Sequence, residues 1–515
     1  MISRHWLRPI LLGLLLTGCG NLFDRFSDQS RKKRRKRKTQ QADADFQRAQ
    51  KKGKAKGKRA IQARREKQAA ADANTRVSDR SPVEIRGQAP ADAPNILLIS
   101  LDTLRADALP VYGGIPDNAP ALTTLAKEGI YFENSYAQAP STSPTHASMF
   151  TSVLPSEHGV MGTKDRLPLS HWTLSEHLQA YGYRTWASAS SVRFALGVQL
   201  NQGFDEYAVY SKGSQINKSN KAMNVALESI PDAPERPWFG FVHFMDVHAP
   251  YLVPEPHQSR YLNGKPSVDP KKTVRFLHKH RTNKSGVSAM QIADLKSMYA
   301  GGVSHVDTRV AKLIDAVKQL ERPTLIVVTA DHGEAFFEKN YLGHGTFVHE
   351  PIMRVPLIFW APALVPQGAA RQTLAQSIDL FPTLCAYAQV PPPEDLQGAN
   401  LRPVIQGETE LTGRSVIGQS RHHQMLVRDS DDGIWKLVLN GKNKKPKLYA
   451  LHQDPLEQTN IGQSHPDVVA DMTTDLVAVS FRQRRKQTGQ TSEAWEMSDE
   501  EREALEAIGY MDASH

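Results

Sequence analysis

The sequence predicts an α/β fold built on a large, doubly wound, mostly parallel sheet flanked by helices. Two observations carry that expectation. Three apolar runs, Asn95–Leu101, Trp238–Met245 and Thr324–Ala330, are continuous rather than alternating, and each ends at an aspartate: Asp102, Asp246 and Asp331. Continuous runs suit parallel strands buried on both faces. Helical patterns such as Ser175–Ala180 and Ser304–Leu320 lie between them, and strand–helix alternation is the pattern of a doubly wound domain. Ligands in such domains bind at the carboxyl ends of strands. Three strand-end carboxylates with histidines beside them therefore mark a candidate site.

The elements follow in chain order. Arg4 and Arg8 precede an apolar stretch from Ile10 to Leu16, and then Thr17-Gly18-Cys19. A basic start and a short apolar region ending in small residues predict an export signal over residues 1–18, too short for the ~20 residues of a bilayer span. The small residues before Cys19 resemble a bacterial lipoprotein signal. The resemblance implies lipidation at Cys19 and anchoring in the cell envelope. Gly20 after the cysteine favours the outer membrane, facing the periplasm.

Residues 19–94 are expected to be a basic tether, largely disordered or in part helical. Arg31 to Lys38 are eight consecutive basic residues, and the stretch that follows has no apolar face. As a coil, the 75 residues from 20 to 94 would reach roughly 50 Å. A basic run near a lipid anchor is attracted to anionic head groups by about 1 kcal/mol per charge. The bland alternative is a solvated spacer.

The chain carries +10 overall, from 64 Lys+Arg against 54 Asp+Glu. Residues 1–95 hold 24 basic and 9 acidic side chains, leaving 40 and 45 for the remainder. The folded part is thus mildly acidic, and no nucleic-acid partner is expected. Cys19 and Cys385 are the two cysteines, which excludes a disulfide framework. Cys385 lies in an apolar helical stretch and should be buried and inert. Nothing in the sequence fixes an oligomeric state.

Four residues have metal-ligand chemistry. Asp331-His332 and Asp102 stand at strand ends and offer oxygen and nitrogen. Thr142 stands where Pro144 suits the first turn of a helix, a place that favours an anion. A hydroxyl there can serve as metal ligand and as nucleophile toward a bound phosphate or sulfate. It can also be a plain helix cap.

These residues carry a resemblance. Leu101–Asp107, Thr142–Ser148, Pro155–Val160, Gly203–Asp205, Asp246–Tyr251, Asp331–Glu334, Arg354–Leu357 and Asp379–Leu384 resemble, in order, the motifs of the sulfatase family of the alkaline phosphatase superfamily. The likeness extends through Leu448-Tyr449, Asp454, Glu457 and Asn460 to Ile508–Tyr510. It implies a catalytic domain over 95–415 and a C-terminal α+β subdomain over 416–515.

Departures from the family pattern are as informative. Sulfatases that use formylglycine resemble one another in a Cys- or Ser-x-Pro-x-Arg signature; here Thr142 and His146 hold the first and last positions. A secondary alcohol cannot yield the aldehyde, so no formylglycine is expected. His332 and Thr103 stand where an amide and a carboxylate would complete a calcium site. The resemblance therefore shifts to the superfamily branch with a metal-bound threonine, such as nucleotide pyrophosphatases and phosphoethanolamine transferases. It implies Asp102, Thr142, Asp331 and His332 as ligands of zinc or manganese rather than calcium, with Thr142 as nucleophile. His248 and His344 would contact ester oxygens or handle the leaving-group proton. His146 would bind substrate or cap the helix. A second metal on Asp246, His248 and His344 is the weaker alternative. His158, His243 and His349 read as structural, and His422-His423 as surface residues.

The expected activity is hydrolysis of an anionic ester, phosphate or phosphonate ahead of sulfate. The alternatives are a sulfuric ester hydrolase without formylglycine, a phosphoethanolamine-type transferase, or a non-catalytic polyanion-binding protein. The Pro-, His- and Lys-rich stretch 252–290 is expected to border the site.

Overall fold

The computed structural model describes residues 83–230, 235–441 and 445–486, together with 499 and 502. The export signal, Cys19, the basic run 31–38 and Ile508–Tyr510 lie outside the described residues. No described helix is long and apolar enough to cross a membrane.

Eight strands form the central sheet: β1 (Asn95–Leu101), β2 (Ile130–Phe132), β3 (Arg184–Ala189), β4 (Glu206–Val209), β5 (Trp238–Phe244), β6 (Thr324–Thr329), β7 (Leu357–Trp360) and β8 (Ala369–Arg371). Their order is β8-β2-β7-β6-β1-β5-β3-β4. Only β7 among them runs against its neighbours. The three apolar runs are the adjacent strands β6, β1 and β5 at the centre, buried along their whole length. Register does the positioning. Ser100 of β1 pairs with His243 of β5 on one side and with Thr329 of β6 on the other. Asp102 and Asp331, each two residues further on, therefore emerge side by side.

The helices that matter here are α1 (Pro120–Glu128), α2 (Thr142–Thr151), α3 (Leu174–Ala180), α4 (Gln215–Ser229), α5 (Thr273–His280), α6 (Ala289–Val317) and α7 (Leu380–Ala388). Helix α6 starts well before the expected Ser304, at a capping box of Ser288 and Gln291. Gly301 and Gly302 sit inside it. A Cβ at either would meet the backbone of His257 or Asp246 at 2.5 and 2.8 Å. These glycines serve close approach at the cost of helix propensity.

Residues 83–94, read from sequence as the end of the tether, pack on the core instead. The N–H groups of Arg86 and Ala89 donate to Ala180 and Tyr181 at the end of α3, and Ala93 is fully buried. Four antiparallel strands, β8's successors β9 (Ser415–Gln419), β10 (His423–Ser430), β11 (Gly433–Asn440) and β12 (Lys447–Ala450), form the C-terminal sheet with α8 (Pro466–Lys486). A buried Lys436 joins that sheet to the catalytic part, 2.8 Å from Glu350 and 2.7 Å from Glu457. Glu457 also accepts from His349 Nδ1.

Candidate active site

Asp102 follows β1 directly and is 1% exposed, yet neither carboxylate oxygen has a hydrogen-bond donor among the described residues. Thr103 holds φ at 60°, a left-handed conformation costly for a β-branched residue. That turn aims the Thr103 N–H at Asp331 Oδ1 (3.2 Å), while the Thr103 hydroxyl donates back to the Asp102 carbonyl. Asp331 Oδ2 is left without a donor among the described residues, 3.4 Å from His332 Nε2. His332 Nδ1–H donates to the Gly333 carbonyl, which leaves the Nε2 lone pair facing inward. Thr142 Oγ1 lies 3.4 Å from that same nitrogen.

Thr142 is the first residue of α2; Ser141 occupies the cap position and makes no side-chain cap bond. Ligand atoms of Asp102, Asp331 and His332 lie within 4.8 Å of one another. The expected quartet is thus brought together. Burial pushes the Asp102 carboxyl above its ordinary value against the pull of His248 and His332. Buried carboxylate oxygens without donors, beside a directed imidazole and a hydroxyl, fit a divalent cation.

The structure adds residues that the sequence reading did not place here. His243, expected to be a core residue, stands on β5 with Nε2 3.3 Å from Asp102 Oδ2. A lone imidazole in a strand otherwise made of WFGFVF was the available signal, because a buried polar group requires a partner. Arg193, from the short helical turn Val192–Phe194, lines the cleft, and its charge opposes the burial-driven rise of the Asp102 carboxyl. Glu334, fully buried, takes a hydrogen bond from His344 Nδ1 at 2.9 Å and another from the Tyr251 hydroxyl at 2.9 Å.

His248 and His344 meet at the site, with ring centroids 5.0 Å apart, and His344 lies 4.4 Å from His332. His248 Nδ1–H donates to the Ala249 carbonyl at 2.5 Å. Both rings therefore have Nδ1 committed to the protein and Nε2 directed elsewhere. Burial holds His248 down to about 4 and His344 well below the usual imidazole value.

Three expectations need correction. His146 does not face substrate. Its Nδ1–H donates to the Thr142 carbonyl, its Nε2 accepts from Ser100, and its ring is fully buried against Phe194 and Phe241. Burial lowers it to about 3, so it is a neutral strut under α2. Asp246 does not join His248 and His344 in a second metal site: Oδ1 is bound by His305 at 2.8 Å and Arg309 at 2.7 Å. His423 is not a surface residue but packs on Phe347 at 4.6 Å, whereas His422 is exposed and lines the cleft.

A cleft of about 470 Å³ opens beside the quartet, lined by Ser141 and Ser143 on either side of Thr142. Lys164, Arg193, Arg281, Arg421, His344 and His422 are among its lining residues. No acidic side chain is among them. Although the folded part is mildly acidic, this cleft is locally cationic. Arg281 comes from the 252–290 stretch, which does border the site. Cys385 is fully buried in α7, and its thiol is pushed up by burial.

Comparison with known proteins gives the family and the fold. The family profile described as Sulfatase matches residues 94–390, and that of N-sulphoglucosamine sulphohydrolase, C-terminal, matches 334–482. An arylsulfatase of Clostridium perfringens is 22% identical, over 72% of this chain and 90% of its own. A choline-sulfatase of Rhizobium meliloti is 25% identical, over 72% and 83%. The solved phosphonate monoester hydrolase of Agrobacterium radiobacter shares the fold, with a TM-score of 0.63 at 19% identity over 76% of this chain and 96% of that one. The chain belongs to the sulfatase family of hydrolases.

Proposed function

We propose that this protein hydrolyses an anionic ester, phosphate or phosphonate ahead of sulfate, with the Thr142 hydroxyl as nucleophile. The sulfatase family is metal-dependent, and candidate metal-binding residues are present. Asp102, Asp331, His332 and Thr142 would hold the metal, with His243 as a fifth donor. When bound, it would lower the hydroxyl pKa and neutralise non-bridging ester oxygens. The mixed oxygen and imidazole donors favour zinc or manganese over calcium.

The chain's own residues supply the rest. Thr142 Oγ1 attacks phosphorus or sulfur, and the bond to the leaving oxygen breaks. The hydroxyl proton passes through an imidazole Nε2 of the His248–His344 pair to the leaving oxygen, giving a free alcohol. Water then attacks the threonine ester, its proton moves by the same nitrogens to Thr142 Oγ1, and the phosphate, phosphonate or sulfate product leaves with any substituent it still carries. Glu334 orients His344, and Arg193 with the N-terminus of α2 holds the anionic oxygens.

The observation that carries this reading is the buried trio of donor-free carboxylate oxygens beside a hydroxyl at a helix N-terminus. A threonine in the place of an oxidisable residue supports the absence of formylglycine. Metal analysis of the purified protein, with a panel of bis-p-nitrophenyl phosphate, a phosphonate monoester and p-nitrophenyl sulfate, tests it. Zinc or manganese with the phosphorus esters hydrolysed faster is expected. Calcium with dominant sulfate hydrolysis would replace it with a sulfuric ester hydrolase. We further infer that Cys19 anchors the chain in the bacterial envelope; labelling with a radioactive fatty acid, lost in Cys19→Ala, checks this.

A further inference from the structure

We propose that the basic face around α5, together with Met290, docks this protein on an anionic lipid surface. The face does not follow from bulk charge. Residues 252–290 carry eight Lys+Arg and two acidic side chains within a folded part that is otherwise acidic. Lys265, Lys271, Lys272, Arg275, Lys279 and Lys284 are all exposed. Asp269 lies 3.8 Å from Lys272. Among the described residues, no carboxylate stands within ion-pairing distance of Lys271, Arg275 or Lys279.

Lys272, Arg275 and Lys279 line a surface hollow of about 520 Å³, together with Phe276, His280 and Gln291. Met290, at the start of α6 and next to Gln291, is 67% exposed. A cluster of cations attracts phosphate head groups, and a protruding apolar side chain among them gains by entering the acyl boundary. A hydrated polyanion would use the cations but gain nothing from the methionine. That difference favours lipid over a soluble polymer.

The face adjoins the cleft. The Leu342 N–H donates to the carbonyl of Arg281 at 2.8 Å, and Arg281 and His344 line the cleft together. Docking through α5 would hold the cleft mouth at the lipid surface. The inference rests on charge and exposure outside the cleft and is independent of the role given to Thr142.

The experiment uses the full chain with Cys19→Ala and every residue from Arg31 to Lys38 changed to Gln, so that neither a lipid anchor nor the N-terminal run masks the effect. Cosedimentation is measured with phosphatidylglycerol–phosphatidylcholine vesicles and with pure phosphatidylcholine. Adding Lys272→Gln, Arg275→Gln, Lys279→Gln and Lys284→Gln should weaken binding to the anionic vesicles at least ~tenfold, since each charge near the surface contributes about fivefold. Met290→Ser should weaken it about fivefold, a loss that persists at raised salt. Both variants should hydrolyse a soluble chromogenic ester at the unmodified rate, which also reports folding; Arg275→Glu alone serves if the quadruple variant is poorly expressed. Unchanged vesicle binding in the quadruple variant would overturn the proposal, as would no vesicle binding by the parent. So would binding of a soluble sulfated polysaccharide that the quadruple variant loses while Met290→Ser leaves vesicle binding intact.

Discussion

Thr142→Ala separates the nucleophile assignment from its alternatives by magnitude. The residue is fully buried at the first position of α2, and the cap position belongs to Ser141. Removing Oγ1 therefore takes away little that stabilises the helix. If Thr142 merely contacted substrate, the loss would be that of one charge-assisted hydrogen bond, about 1.5–3 kcal/mol, or roughly 10- to 150-fold in kcat/KM. If it is the nucleophile, the whole covalent route closes, and losses on the order of 10⁴ to 10⁶ in kcat are typical of such groups. Thr142→Ser keeps the oxygen and deletes one buried methyl, a change of about 1 kcal/mol, so it should stay within about tenfold. The assay is kcat and kcat/KM on bis-p-nitrophenyl phosphate with metal content and urea midpoint measured alongside. A Thr142→Ala protein that is folded and metal-loaded, and retains activity within about a hundredfold, would refute the reasoning.

Further outcomes follow from the same geometry. Arg193→Ala should cost about 10- to 150-fold in kcat/KM for an anionic ester, with Arg193→Lys losing less, because a charge-assisted contact is worth about 1.5–3 kcal/mol; equal rates in all three would remove Arg193 from the site. His158 is buried, donates from Nε2–H to Ser148 and accepts the Val160 N–H, and burial lowers it to about 3. The unfolded chain takes up that proton below its ordinary 6.5 and the folded chain does not, so stability falls as pH drops from 6.5 toward 3. Between pH 7 and 5 the parent should lose about 2 kcal/mol more than His158→Asn, which keeps an acceptor but does not titrate; matching urea curves would contradict this. Lys436→Met leaves Glu350 and Glu457 buried without their shared cation, and should destabilise by about 3–5 kcal/mol in urea titration. Changing both glutamates to Gln in the same chain should recover part of that loss.

The central strands, their aspartates and the start of α2 were legible in sequence. An apolar run that stops at a charged residue carries both its burial and its exit point in local composition. The quartet of Asp102, Thr142, Asp331 and His332 followed, because its members sit at element termini: Asp102 after β1, Asp331 and His332 after β6, and Thr142 at the start of α2. His146 misled for the opposite reason: its spacing from Thr142 suggested the site, but four residues along a helix turned its ring beneath the carbonyl of Thr142 rather than toward the cleft. The helix expected at Ser304 begins at Ala289 instead, since Gly301 and Gly302 inside it are required by backbones packed against them.

What the sequence determined by itself is therefore what local pattern encodes: strand, helix start, and the chemical type of the group at each end. What only the tertiary structure decided is which groups share a volume. His243 reaches Asp102 because two parallel strands pair in one register, Glu334 reaches His344 across a buried turn, and Asp246 turns away to Arg309. The cationic lining of the cleft comes from loops far apart in the chain. Coulombic interaction depends on distance through space, and distance through space is what folding alone supplies.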